Sequence, residues 1–250
     1  MLPVNHPVIV AHRGLSALYP ENTRLALQQA ILTGARAVEF DVQLTADGTP
    51  VVFHDVTLDR LTGTSGNILE TSLRELDTLH AGYPGRFGDQ FADEPLLTLA
   101  RAVELFRDHP GVTPCLEIKT ESLEAHGQDI CLERILRVTG QATEHMLLLS
   151  FSDSAIEALH DRGLRNTVWV LREYDASHRS RAVDLQPAVL AVNLHKLPAS
   201  GEVFWPGTWQ WMVYQTEDPA TVQRMASLGC RYIETDNVRA VAAALPELFS

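Results

Sequence analysis

Short apolar runs alternate with amphipathic stretches along the chain. The apolar runs have strand length: 8–12 (VIVAH), 37–43 (AVEFDVQ), 114–119 (PCLEIK), 146–151 (MLLLSF), 167–171 (TVWVL), 189–194 (VLAVNL), 210–215 (QWMVYQ) and 231–235 (RYIET). Helical spacing predicts helices from Asn22 to about Thr33, over 98–108, 122–138 and 238–248, and from Asp153 to Gly163. Asn22 or Thr23 can cap the first helix, and Gly34 stops it. Another helix has Asp218 as N-cap and Pro219 at its first position, and ends at Gly229. Strand then helix, repeated about eight times, predicts an α/β chain folded as a (β/α)8 TIM barrel. A doubly wound sheet is the rival, but no glycine-rich dinucleotide turn follows the first strand. Without a repeat or low-complexity linker, residues 1–250 read as a single domain.

One segment breaks the rhythm. In "QLTADGTPVVFHD", Asp47-Gly48 lies between two extended runs and predicts a hairpin. Residues 55–95 follow as a small insertion after the hairpin, with one helical piece near 72–79. Loops of this length inside compact domains are usually functional, and in a barrel this one would lie at the C-terminal face, where active sites form.

Strand alternation then selects the chemistry. Glu39, Asp41 and Gln43 share the inward face of the second strand, while Val38, Phe40 and Val42 face outward. In "CLEIK", Glu117 and Lys119 face inward. Inward carboxylates repel one another and resist desolvation, and a divalent cation resolves both problems. An all-oxygen donor set selects Mg2+ or Ca2+ over zinc. The plainer reading makes them rim carboxylates paired with Arg or Lys. A two-residue Asp-Gly loop would pair Ala46 with Thr49 and set His54 opposite Asp41, beside the carboxylates. A bulge would shift that register, and a strand-end histidine bonded to a loop carbonyl is the ordinary alternative. His12 ends the neighbouring first strand, so two imidazoles could act as general acid and base. Arg13 offers a fork suited to phosphate, and Gly14 lets the backbone turn close to the substrate. Phosphodiester cleavage uses all these parts.

The series "AHRG…PENT", "EFDVQLTADGTPVVFHD", "CLEIK", "LLLSF" and "YIETD" resembles the motifs of the glycerophosphodiester phosphodiesterase family, in order and over nearly the whole chain. The resemblance implies a TIM barrel that hydrolyses glycerophosphodiesters to glycerol 3-phosphate and an alcohol. It implies that His12 and His54 are the acid–base pair, and that Glu39, Asp41 and Glu117 hold the metal. By the same likeness Arg13 and Lys119 contact phosphate, and Phe151 and Tyr214 line the substrate pocket. Phe151 also has a core-packing reading. The chain departs from the family near strand seven, where Tyr214, Gln215, Thr216 and Glu217 replace the usual Trp-Thr-Val-Asn. In "PENT", Glu21 or Asn22 is expected to brace the site, or the motif simply shapes the loop. Trp211 reads as core or barrel interior, His195 and Lys196 as a solvated loop, and Asp236 as structural, a candidate helix N-cap.

Composition narrows the partners. The formal net charge of −12 disfavours nucleic acid and stable association with an anionic membrane, but permits a small anionic substrate. No apolar run approaches the ~18 residues of a membrane span. "MLPVNHP" lacks the marks of a signal peptide, so the expectation is a cytoplasmic enzyme. Three widely spaced cysteines argue against a disulfide framework or thiolate zinc site. Two other readings are a related phospholipase-type enzyme acting on lyso- or intact lipids, and a catalytically silent barrel serving as a binding module. Head group, choice of metal and oligomeric state are open at this level.

Overall fold

The computed structural model describes residues 6–199 and 203–249. The strands are β1 (Val8–Ala11), β2 (Ala37–Leu44), β3 (Pro50–Val52), β4 (Leu97–Thr98), β5 (Thr113–Ile118), β6 (Leu147–Ser150), β7 (Thr167–Val170), β8 (Val189–Asn193), β9 (Gln210–Tyr214) and β10 (Tyr232–Thr235). The helices are α1 (Arg24–Leu32), α2 (Asp59–Thr62), α3 (Leu73–Leu76), α4 (Pro84–Phe87), α5 (Leu99–Arg107), α6 (Thr120–His126) and α7 (Gln128–Thr139). Beyond them come α8 (Asp153–Asp161), α9 (Ala176–Leu185), α10 (Pro219–Ser227) and α11 (Val238–Ala244).

Eight parallel strands close on themselves: β1 pairs with β10 through Val8↔Tyr232 and with β2 through Val10↔Ala37. β3 and β4 extend antiparallel from β2, outside the closed ring. The barrel follows from the alternation within each strand. Val38, Phe40, Val42, Leu116 and Ile118 pack outward with the helices. Each such side chain stabilises the fold by about 1.5–3 kcal/mol. Val10, Cys115, Leu149, Val170 and Met212 fill the interior instead. Above that apolar layer the inward positions carry Glu39, Asp41, Glu117 and Glu234, all at least partly buried. The filled interior therefore ends in a polar cup at the C-terminal ends of the strands.

The structure decides several local expectations. Thr23 caps α1 by accepting from the Ala26 N–H at 3.1 Å, which frees Asn22 for the site. The expected 122–138 helix is two helices, parted at Gly127 with φ 83°. α9 has no counterpart among the sequence-predicted helices; its ASHRSRAVDL buries only Ala182 and Leu185. Trp211 is a core residue, the first of its two readings, packed in the outer layer against Trp205 and Phe204. Gly14 has φ 84° and packs against α1, where a Cβ would sit 2.5 Å from the Ala26 backbone. Among the described residues no helix is long and apolar enough to cross a membrane.

Candidate active site

The polar cup encloses a cavity of about 410 Å³. His12, Arg13, Glu39, His54, Glu117 and Lys119 line one side. Phe151, Tyr214, Gln215 and Glu234 also face it, over a floor of Leu149, Val170 and Ala191. Every sequence-predicted site residue except Asp41 lines the cavity directly. Asp41 is 1% exposed and lies just behind.

β2 and β5 set the acidic cluster. Their register pairs Asp41 with Glu117 and Glu39 with Cys115. Glu39, Asp41 and Glu117 offer ligand oxygens within 4.8 Å of one another. Burial, with the charges on Asp41, Glu234 and Glu117, holds Glu39 well above the usual carboxylate range. Burial and the Asp41 charge push Glu117 up as well. Burial works on Asp41 too, but Arg13, Lys119 and the Asn22 amide outweigh it and hold its carboxyl well below that range. Lys119 Nζ bridges Asp41 at 3.2 Å and Glu117 at 2.9 Å. Asn22 grips Asp41 twice, donating to Oδ2 at 2.8 Å and accepting its backbone N–H at 3.1 Å. Glu39 Oε2 accepts the Arg13 backbone N–H at 3.0 Å, whereas Glu39 Oε1 is buried with no partner. An orphaned buried oxygen beside two further carboxylates fits a hard divalent cation.

Each histidine is held the same way. His12 Nδ1 donates to Asp236 Oδ1 at 2.7 Å, and His54 Nδ1 donates to Asp55 Oδ1 at 2.7 Å. These bonds fix the tautomers and leave both Nε2 atoms free for proton transfer. Burial opposes charge on His12, but the Asp236 hydrogen bond and the nearby Glu234 carboxylate raise its pKa above the ordinary value. Asp236 also accepts from Gln215 at 2.6 Å and Ser16 at 3.2 Å. It is therefore the buttress of His12; the N-cap of α11 is Asn237.

His54 reaches the cavity by a different register from the one expected. β2 and β3 pair Val42 with Val52 and Leu44 with Pro50, so the turn holds one more residue than a two-residue loop. Phe53, not His54, donates its N–H to the Asp41 carbonyl, at 3.0 Å. His54 stands one residue past that pairing, with its carbonyl accepting from Gln43 at 3.2 Å.

The insertion supplies a link that motif reading missed. Arg60, in α2, forks onto Asp55 at 2.6 and 3.0 Å and onto Glu21 at 2.8 and 2.7 Å. Glu21 in turn accepts from Arg13 Nη1 at 2.8 Å. A single guanidinium thus ties the partner of His54 to the partner of Arg13. Arg13 Nε lies 3.2 Å from Asp41 Oδ2 but is not aligned as a hydrogen bond.

Phe151 lines the cavity, packs on the barrel interior and carries the Arg172 guanidinium 5.2 Å from its ring centroid. His195 is exposed yet lines the cavity, while Lys196 pairs with Glu173 at 3.1 Å. Glu217 is exposed and outside the cavity lining. Glu234 is the other residue missed in the sequence. It is 4% exposed, and burial pushes its carboxyl up to about 7, helped by Glu117 and Asp41 and opposed by His12 and Arg13. Alternation in "YIET" would have turned it inward, had the strand been read as Glu39's was.

Comparison with known proteins agrees with this geometry. The sequence model of the glycerophosphoryl diester phosphodiesterase family matches residues 12–145. A glycerophosphodiester phosphodiesterase of Caldanaerobacter subterraneus subsp. tengcongensis is 30% identical over 241 residues, spanning 92% of this chain and 94% of its own. An Oleispira antarctica phosphodiesterase, solved in complex with the product sn-glycerol-3-phosphate, superposes with a TM-score of 0.80. It is 25% identical, with 96% of this chain and 97% of that one covered. A glycerophosphodiester phosphodiesterase from Agrobacterium tumefaciens gives a TM-score of 0.76 at 27% identity, covering 95% and 99% of the two chains.

Proposed function

The chain belongs to the glycerophosphoryl diester phosphodiesterase family, and from that premise we propose that its cavity hydrolyses small glycerophosphodiesters to glycerol 3-phosphate and an alcohol, with two histidines and a divalent cation. The observation that carries this reading is the shared device at His12 and His54. Each is oriented through Nδ1 by its own carboxylate, and both belong to the cavity that carries Glu39 and Glu117. A cation held by Glu39, Asp41 and Glu117, either Mg2+ or Ca2+, would neutralise phosphoryl charge and polarise its oxygens.

The protein groups divide the remaining work. Arg13, braced by Glu21 and beside Asp41, presents its free edge to a phosphate oxygen. Lys119 adds a compact positive charge on the other flank. One imidazole takes the proton of the glycerol hydroxyl next to the ester as that oxygen bonds to phosphorus. The other gives its proton to the departing alcohol oxygen as the phosphorus–oxygen bond breaks. Water then opens the cyclic phosphate with the two roles reversed. Phe151 and Tyr214 wall the cavity and exclude bulk water. This reading gives His12→Ala and His54→Ala each a kcat lower by about 10²–10⁴-fold. A head-group panel assayed with each metal checks it, and near-full activity in either variant contradicts the assigned pair.

A further inference from the structure

Glu234 raises the pKa of His12 but has no ligand-facing task assigned above. Its strand turns Ile233 outward into the helix layer and Glu234 inward to the cavity. It is 4% exposed, and among the described residues its carboxylate makes no hydrogen bond or ion pair. The other cavity carboxylates differ: Glu39 accepts from Arg13 and Glu117 from Lys119. Glu234 is also not a member of the three-carboxylate cluster. Its oxygens are not among the buried unpartnered atoms but open to the cavity, where a ligand that supplies a donor can reach them.

Depth indicates which part of the ligand that is. Glu234 pairs in register with Val10, and the His12 N–H pairs one level higher with the Thr235 carbonyl. Glu234 therefore sits below the histidine, toward the floor of Leu149, Val170 and Ala191. A phosphodiester has two arms. The leaving alcohol varies in size and needs the open mouth, whereas a glycerol arm is compact and constant and suits a closed floor. The hydroxyl next to the ester is engaged at phosphorus, which leaves the terminal hydroxyl as the donor. We propose that Glu234 accepts a hydrogen bond from the terminal hydroxyl of the glycerol arm, and so selects hydroxylated phosphodiesters over those lacking that group. The inference rests on the glycerophosphodiester reading above.

The test compares kcat/KM for glycerophosphoethanolamine and for its analogue with the terminal hydroxyl replaced by hydrogen. Wild type prefers the hydroxylated substrate by about tenfold or more, as expected when the analogue leaves a nearly buried acceptor unsatisfied. In Glu234→Leu the preference collapses to about one, and Glu234→Gln, which still accepts a weaker bond, keeps an intermediate ratio. Glu234→Leu melts no lower than wild type, because the carboxylate it removes makes no hydrogen bond and its burial is opposed by desolvation. An undiminished preference in Glu234→Leu overturns the proposal. So does a lowered Tm with equal losses on both substrates, which would make the residue structural. Absence of glycerol 3-phosphate from wild type would instead refute the glycerophosphodiester reading, and is read separately from the ratio.

Discussion

At the level of single residues, the site contrasts satisfied and unsatisfied charge. Asp55 and Asp236 each hold a histidine, and their carboxyls lie below the ordinary range because these hydrogen bonds outweigh burial. Glu39 and Glu234 are pushed the opposite way, chiefly by burial. The sign of the consequence follows for Glu234. Unfolded, its carboxyl titrates near ~4.3; folded, it titrates at about 7. The folded chain binds more protons between those values, so the stability linked to this group is complete below the lower one and is lost as pH rises through the upper. Denaturation of wild type and Glu234→Gln in the presence of a chelator, from roughly pH 5 to 8, should show the difference moving in favour of Gln as pH rises. A constant difference would contradict the shift. The carboxylate cluster was legible because Glu39 and Asp41 break an apolar strand conspicuously. Glu234 and Asp236 were not, because their motif reads equally well as a strand end and a helix entry. Only the closed barrel brings Asp236 to His12, 224 residues away in sequence.

Among the elements, the insertion matters most. α2 is a single short turn, yet its Arg60 holds Asp55 and Glu21 together and lies 5.1 Å from the Tyr83 ring centroid. Arg60→Ala should loosen both His54 and Arg13, lowering kcat and raising KM together. The expected loss in kcat/KM is ~100-fold, the scale of a 1 Å misplacement of catalytic groups. Lys cannot make both forks, so Arg60→Lys should recover little, whereas added guanidinium should restore part of the Arg60→Ala activity. Steady-state kinetics check this, and unchanged KM and kcat would remove the insertion from the site. Elements with strong periodicity were legible: all eight barrel strands and most outer helices stand where the pattern places them. α9 was hidden because its sequence is mostly polar, and the hairpin register slipped because one extra turn residue leaves no mark in the hydrophobic pattern. Within the insertion, Phe91 packs on Phe87 at 5.2 Å and on Tyr19 at 5.8 Å.

For the whole molecule, closure of the ring is what turns separate motifs into one site. β1, β2 and β5 are neighbours in the barrel, so His12, Glu39, Asp41 and Glu117 converge although the sequence scatters them. The chain carries a net charge of −12, so the positive groups available to a phosphate in the cavity are local: Arg13 and Lys119, each paired with carboxylates. A bound divalent cation would reverse the sign of the cluster and admit an anionic diester. The most direct measurement follows the products of glycerophosphoethanolamine by phosphorus NMR, with Mg2+ or Ca2+ supplied and with EDTA added. The account predicts release of glycerol 3-phosphate that EDTA abolishes and added metal restores. Absence of glycerol 3-phosphate with either metal, or formation undiminished by EDTA, would contradict it.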